Sequence, residues 1–209
     1  MTRDRPYVDR ARRRWLSASL GALSCAPAML RAAPAVGAGA SVGGGAADDA
    51  LRELDLRRQE AALLHRKADL TGTRLLRGGQ AIQVQPPVAH LLIAHIWAVE
   101  CRPCIDELPI LRRITDSLSR MPQVKIVLIS ETQDLAALNS FIGSHQPDMP
   151  RVEQYQNVDD RLRASLQSHA QPTTLFLDAL CVVRQAFLGS LKNRRSEFVD
   201  AIQRMARTM

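Results

Sequence analysis

Two cysteines, Cys101 and Cys104, have the residue type and spacing for redox chemistry in this chain of 209 residues. They follow the apolar run Leu91–Trp97 and precede a stretch with helical periodicity, so they stand at a strand-to-helix junction. At a helix start, unpaired backbone N–H groups and the positive end of the helix dipole favour the thiolate of the first cysteine. The second thiol can close a disulfide with the first. Such a pair takes up or releases two electrons without a cofactor, and we expect none.

Metal binding and peroxide reduction are alternative uses of these thiols. A structural zinc site needs four ligands, and the sequence has no second Cys-x-x-Cys, so we predict no metal site. A chaperone for Cu(I) could hold copper with the same two thiolates. A thiol peroxidase of the redoxin group needs a single reactive cysteine, which the paired cysteines fit less well. The copper chaperone and the peroxidase stay open as alternative functions.

Strands and helices alternate around the motif as in an α/β domain. Apolar residues predict strands at Leu91–Trp97 and Val124–Ser130, with a helix over about 102–119 between them. This β-α-β order requires parallel strands joined by a right-handed crossover. Two later strands, 174–177 and 182–188, are separated by only a few residues and must form an antiparallel hairpin. Further helices are predicted at about 133–142, 159–168 and 196–207. The pattern therefore indicates a mixed sheet with helices on both faces.

The residues around the cysteines resemble the active site of the thioredoxin superfamily, in particular its exported TlpA/ResA-like branch. The segment WAVECRPCIDELP at residues 97–109 is similar to that branch's pattern, W-A-x-W-C-x-P-C-x-x-E-x-P. The segment QPTTLFLD at 171–178 resembles the family's cis-proline loop and the following strand, and Gly189 matches a family glycine. The resemblance covers about residues 88–205. It implies a thioredoxin-like, three-layer α/β/α fold.

The resemblance also implies roles for individual residues. Cys101 is expected to attack the substrate disulfide, and Cys104 to resolve the mixed disulfide. The implied fold sets Pro172 beside Cys101, where a cis bond before Pro172 would turn the backbone of Gln171 towards an incoming substrate strand. The remaining substrate-binding candidates flank these positions: Trp97, Arg102, Pro103 and Thr173.

Three ionisable residues near the motif have open roles. Glu100 stands where the family has an aromatic residue, and its negative charge would oppose the helix dipole. His95 stands where relatives have a buried Asp or Asn, and by strand alternation it shares the face of Trp97 beneath the site. His95 is either a catalytic base for Cys104 or a core histidine bonded to backbone. Glu107 is either a solvated helix residue or a carboxylate that manages a proton near the thiols.

The first 35 residues have the features of an export signal. The run RRRWL at 12–16 resembles a twin-arginine signal, and an apolar stretch leads to an A-x-A site at 33–35. A general secretory signal is the main alternative, and an uncleaved anchor or lipidation at Cys25 is second to both. We therefore predict a periplasmic protein, in which an oxidising environment makes disulfides ordinary.

The rest of the chain divides into two parts. Residues 36–87 are predicted to be a flexible tether and an N-terminal extension, and residues 88–209 the thioredoxin-like domain. A helix that begins at Asp48 or Asp49 could pack on this domain or on a partner. Cys181, beside the predicted hairpin turn, is expected to be a free thiol, with an intermolecular disulfide as the alternative.

The charge distribution bears on the partners. Of the formal net charge of +7, residues 1–35 carry +5 and the remainder only +2, so we exclude nucleic acid as a partner. The resemblance implies protein thiol or disulfide substrates and an upstream membrane electron donor. It also implies a reductase of protein disulfides, for example in cytochrome c maturation. Membrane contact is expected only through an uncleaved or lipidated N-terminus.

Overall fold

The computed structural model describes residues 44–70, 75–77, 80–82, 91–118 and 120–208. The predicted export signal, Cys25 and the first part of the predicted tether lie outside these residues. The described residues contain five α-helices: α1 Gly44–Leu63, α2 Arg102–Leu118, α3 Leu135–Ser144, α4 Arg161–Leu166 and α5 Arg195–Thr208. The strands are β1 Leu75–Arg77, β2 Gln80–Ile82, β3 Leu91–Trp97, β4 Val124–Ser130, β5 Glu153–Asn157, β6 Thr173–Leu177 and β7 Val183–Leu188.

The described strands form one mixed sheet in the order β2-β1-β5-β4-β3-β6-β7. Strands β3, β4 and β5 are parallel, as crossovers through α2 and α3 require. Strand β6 pairs antiparallel with β3, and β7 pairs antiparallel with β6. The predicted parallel β-α-β half and the antiparallel C-terminal hairpin are both confirmed.

Alternation along β3 separates two hydrophobic cores. Leu92, Ala94 and Ile96 belong to a core that includes residues of α1 and α4. Leu91 and Ile93 belong to a core built with residues of α2 and α5. Because successive strand side chains point to opposite faces, one apolar strand anchors both helical layers. The three-layer α/β/α architecture predicted from the sequence is confirmed.

Strand β5 has no counterpart among the strands predicted from the sequence. Its sequence, EQYQN, lacks the apolar alternation that marks a half-buried strand. Polar side chains nevertheless become buried here, because neighbouring backbone groups pair with them. The Gln156 side chain donates to the carbonyls of Thr132 and Gln133 at 2.8 and 3.0 Å. Tertiary hydrogen bonds thus stabilise a strand that hydrophobicity does not reveal.

Helix α1 packs against β7, which decides between the two packing partners that the sequence left open. Glu60 of α1 accepts the Leu188 N–H at 2.8 Å, so the helix pairs with a backbone group of the edge strand. The same carboxylate binds Arg194, and both side chains are about nine-tenths buried. The helix, β1 and β2 therefore lie in the same compact unit as residues 91–208.

Candidate active site

Cys101 and Cys104 form a disulfide at the junction of β3 and α2, with their Cα atoms 5.2 Å apart. Helix α2 begins at Arg102, so the motif forms its first turn. The Cys104 N–H donates to Cys101 Sγ at 3.3 Å. Cys101 is partly exposed, whereas Cys104 is fully buried. Of the two cysteines, Cys101 is therefore the one in contact with solvent.

The peptide bond between Gln171 and Pro172 is cis, as the sequence predicted. The adjacent Thr173 pairs with Ile96 in the sheet, which puts the loop at the end of β3 from which the motif emerges. The Pro172 carbonyl accepts the Gly189 N–H at 2.9 Å. The sheet register thus brings the predicted docking loop to the sheet edge that carries the cysteines.

The other predicted substrate-binding residues differ in their exposure. Arg102 and Pro103 are exposed, and Arg102 pairs with Asp106 one turn along α2 at 2.9 Å. Thr173 is fully buried, and its hydroxyl donates to the Ala170 carbonyl at 2.6 Å. Trp97 is buried in one cluster with Cys104, and its ring centroid lies 5.6 Å from that of Phe141. Arg102 and Pro103 therefore offer surface beside Cys101, whereas Trp97 supports the motif from beneath.

Glu100, the residue before the first cysteine, is exposed and has an internal partner. Its carboxylate accepts the Thr132 hydroxyl at 3.2 Å, and the same hydroxyl accepts the Val99 N–H at 2.9 Å. The negative charge that replaces the family's aromatic residue is thus hydrogen-bonded to the segment that follows β4. These hydrogen bonds hold residues 99 and 100, which lead from β3 to Cys101, against that segment.

His95 and Glu107 meet beneath the motif, and both side chains are fully buried. The distance between His95 Nε2 and Glu107 Oε1 is 3.4 Å. The other ring nitrogen, Nδ1, lies 2.9 Å from the Thr174 hydroxyl, and the other carboxylate oxygen accepts the Leu191 N–H at 2.7 Å. The solvated alternative for Glu107 is wrong. His95 is a core histidine, as its second alternative had it, but Nδ1 contacts the Thr174 hydroxyl rather than backbone, and its role as a base stays a prediction.

Burial shifts the two groups in opposite directions. It raises the pKa of Glu107 to about 7, although hydrogen bonds from Leu191 and Ser190 favour the carboxylate. It lowers the pKa of His95 to about 3, so the imidazole is neutral at physiological pH. Neither Nε2 nor Oε1 has a hydrogen-bond partner among the described residues, and the two atoms face each other at 3.4 Å. The pair can therefore hold one proton next to the helix turn that carries Cys104.

Two functional candidates, Glu131 and Arg163, were missed by reasoning from the sequence. Glu131 immediately follows β4, and both oxygens of its carboxylate accept hydrogen bonds from the Arg163 guanidinium. The side chain of Gln171 donates to the same carboxylate at 2.5 Å. An acidic residue just after a parallel strand was the available signal, since such residues gather at one sheet edge. Nothing in the sequence pointed to Arg163.

Cys181 lies at the far end of the hairpin from the motif, as predicted. It is a free thiol, 3 % exposed, with a positive φ of 60°. Burial raises the pKa of the Cys181 thiol, and the nearby Asp178 adds to this effect. A protonated, buried thiol is a poor nucleophile.

The described residues contain neither a metal-binding cluster nor a membrane-spanning helix. No group of three or more His, Cys, Asp or Glu residues among them is arranged to hold a metal ion. None of the helices in the described part of the chain is long and apolar enough to cross a membrane.

The sheet order, the flanking helices and the placement of the disulfide define a thioredoxin-like fold, and comparisons with solved structures agree. A putative thiol:disulfide interchange protein DsbE from Chlorobium tepidum matches with a TM-score of 0.57 and 12% identity, over 67% of this chain and 97% of that one. A putative electron transfer protein from Aquifex aeolicus VF5 matches with a TM-score of 0.55 and 14% identity, over 70% and 99%.

A secreted Mycobacterium tuberculosis disulfide oxidoreductase homologous to E. coli DsbE matches with a TM-score of 0.50 and 17% identity, over 67% of this chain and 97% of that one. No protein-family model matches the sequence, and the search of curated proteins found no match. At such identities the likeness is one of fold. The prediction of a thioredoxin-like fold in which Cys101 and Cys104 are paired is confirmed.

Proposed function

We propose that this protein is a thiol–disulfide oxidoreductase that reduces disulfides in other proteins. The observation that carries the proposal is the Cys101–Cys104 disulfide, with an accessible first sulfur at a helix start and a cis-proline loop at the same sheet edge. A helix start favours a thiolate, and the loop offers extended backbone to a substrate. Together the motif and the loop supply a nucleophile and a backbone segment with which a substrate strand can pair.

The exchange proceeds in two balanced steps. The Cys101 thiolate attacks one sulfur of the substrate disulfide, which forms a mixed disulfide and releases the first substrate thiolate. The Cys104 thiol then loses its proton and attacks Cys101 Sγ, which releases the second substrate thiolate. The substrate gains two electrons and takes up two protons. The protein is left with the Cys101–Cys104 disulfide, the state seen in the structure.

The buried pair beneath the motif supports the second step. Cys104 is fully buried, so its proton needs a protein acceptor before the sulfur can attack. Glu107 lies one helical turn after Cys104, and its raised pKa of about 7 suits a group that accepts and returns a proton near neutral pH. His95 faces the same carboxylate and stays neutral, so it can stabilise the protonated acid through a hydrogen bond.

The physiological setting is also part of the proposal. The leader at residues 1–35 supports export to the periplasm, and one of the similar structures is of a secreted disulfide oxidoreductase. Another is of a putative thiol:disulfide interchange protein, which supports a role in disulfide exchange. Cytochrome c maturation is the setting that the resemblance around the motif suggests. Turnover needs a dithiol donor that returns two electrons to Cys101–Cys104, and we assign this to an upstream membrane protein.

Reduction of a protein disulfide tests the proposal directly. The reduced protein should cleave the interchain disulfides of insulin, and Cys101→Ser should abolish this activity. Reduced Cys104→Ser should accumulate a mixed disulfide through Cys101 that dithiothreitol releases, visible on a non-reducing gel. Cys181→Ser is the matched control and should behave as the wild type, because this buried thiol is far from the motif. Retained activity in Cys101→Ser would rule out the exchange mechanism.

The direction of electron flow is tested by the reduction potential. Equilibration with dithiothreitol buffers should give a value near or below about −250 mV, in the range of reductases, whereas oxidants lie near −120 mV. A copper chaperone would behave differently. Tight binding of one Cu(I) by Cys101 and Cys104, without any disulfide reduction, would contradict the proposed reductase.

A further inference from the structure

An ion pair between the buried Arg163 and the partly buried Glu131 contacts the cis-proline loop. Arg163 of α4 is only 4 % exposed, and it donates through Nε and Nη2 to the Glu131 carboxylate. Its remaining nitrogen, Nη1, donates to the carbonyls of Ser168 and Ala170 at 3.2 and 3.0 Å. The guanidinium therefore binds the carboxylate and the loop backbone at the same time.

The carboxylate extends this contact to the loop side chain and to the motif strand. Glu131 accepts the Gln171 amide at 2.5 Å, in the residue that precedes the cis-proline. Its own backbone N–H donates to the Trp97 carbonyl at 2.8 Å, at the end of β3. A chain of hydrogen bonds thus connects the strand that leads to Cys101 with the loop at Pro172.

The cost of burying these charges indicates a positioning role. A buried ion pair is weak evidence for stability, because desolvation offsets much of the attraction, and apolar residues of similar volume often serve as well. An apolar pair could not fix two loop carbonyls and one side-chain amide. The ion pair can, because the planar guanidinium donates to the carbonyls in fixed directions and the carboxylate accepts from the amide.

We propose that Glu131 and Arg163 are positioning residues that hold the Gln171 backbone ready to pair with an extended substrate strand. This inference rests on the proposed reductase function and adds a specificity to it. With the side chain of Gln171 fixed from behind, its backbone is ordered before the substrate arrives, so less freedom is lost on binding. Protein substrates that pair an extended strand with this backbone should therefore bind more tightly. Small disulfides and dithiols make no strand contact, so their reaction should not depend on it.

Kinetics with two kinds of substrate test the inference on the full chain. In Glu131→Ala and Arg163→Lys, kcat/KM for insulin reduction should fall about tenfold or more, mainly through a higher KM. The rate of reaction with dithiothreitol and the reduction potential should stay unchanged. Lysine keeps the charge of Arg163 but lacks the fork that binds carboxylate and carbonyls together.

Two further variants separate positioning from general damage. Gln171→Ala removes only the side-chain contact with Glu131, leaves the ion pair intact and should raise KM in the same direction. Arg184→Lys is the matched control, because Arg184 pairs with Asp178 at the opposite end of β6. It should leave both reactions unchanged.

Amide hydrogen exchange gives a readout that does not depend on activity. The backbone of residues 168–173 should exchange faster in Arg163→Lys than in the wild type, while β3 and β4 keep their protection. The positioning role would be overturned if the variants lost as much rate with dithiothreitol as with insulin. It would also be overturned if Glu131→Ala, Arg163→Lys and Gln171→Ala all kept the wild-type KM for insulin. A wild-type protein that reacts with dithiothreitol but reduces no protein disulfide would instead overturn the reductase function, and the inference would fall with it.

Discussion

Replacement of Glu107 by Gln should slow the reduction of a protein disulfide about a hundredfold at pH 8, because the buried Cys104 thiol loses its proton acceptor. In the wild type, the rate of the resolving step should rise with pH through about 7, where the carboxylate ionises. The variant should lack this rise. Single-turnover reduction of insulin between pH 5.5 and 9 measures both effects.

Asp106→Asn is the matched control for this prediction. Asp106 is the preceding residue on α2, but its side chain is half exposed and pairs with Arg102. Its variant should keep the wild-type rate and pH profile. If Glu107→Gln showed the same profile as Asp106→Asn, Glu107 would not be the proton acceptor.

The pH dependence of the stability of Glu107→Gln provides a second readout. Burial lowers the pKa of His95 from 6.5 to about 3, so the unfolded state binds more protons in that range and stability rises with pH. Burial raises the pKa of Glu107 from 4.5 to about 7, so stability falls with pH in that range. The two effects on stability oppose each other between pH 4.5 and pH 6.5. Urea unfolding of Glu107→Gln should therefore show stability that rises with pH there, and of His95→Asn stability that falls.

Replacement of Glu60 by Ala should lower the free energy of unfolding by about 3 kcal/mol, because Arg194 loses its buried partner and keeps only the more exposed Glu197. Arg194 is 9 % exposed and lies over the ring of Phe187, so water cannot replace the lost carboxylate. The Leu188 N–H loses its acceptor as well. Urea denaturation at pH 7 measures the change, and salt should alter it little because the pair is buried.

An exposed pair on the same helix is the comparison. Glu53 binds Arg57 one turn away at 2.8 Å, with both side chains more than 40 % exposed, and Glu53→Ala should cost less than about 1 kcal/mol. The double variant Glu60→Gln/Arg194→Met should lose less stability than Glu60→Ala, since it leaves no buried charge. Equal effects of Glu53→Ala and Glu60→Ala would contradict the assignment of Glu60 as the residue that anchors α1.

Local patterns in the sequence were sufficient for much of the fold and for the reactive atoms. The cysteine spacing, the apolar run before it and the helical periodicity after it predicted the β3–α2 junction, because each pattern reports on residues a few positions apart. The short connection near Cys181 likewise predicted the hairpin. The resemblance around Pro172 predicted the cis bond that the structure contains.

Tertiary structure decided what surrounds those atoms. The sequence placed His95 under the site but left its partner open, and only the packing of α2 on β3 brought it within 3.4 Å of Glu107. Arg163 and Glu131 are 32 residues apart in the sequence, and Arg194 and Glu60 are 134 apart. Hydrophobic periodicity relates only residues a few positions apart, so it could not predict these pairs. Burial then set the opposite pKa shifts of His95 and Glu107, since desolvation depends on every element packed around a group. The sequence by itself determined which two sulfurs form the disulfide, and the fold determined which charged and polar groups surround them, because those groups come from distant parts of the chain.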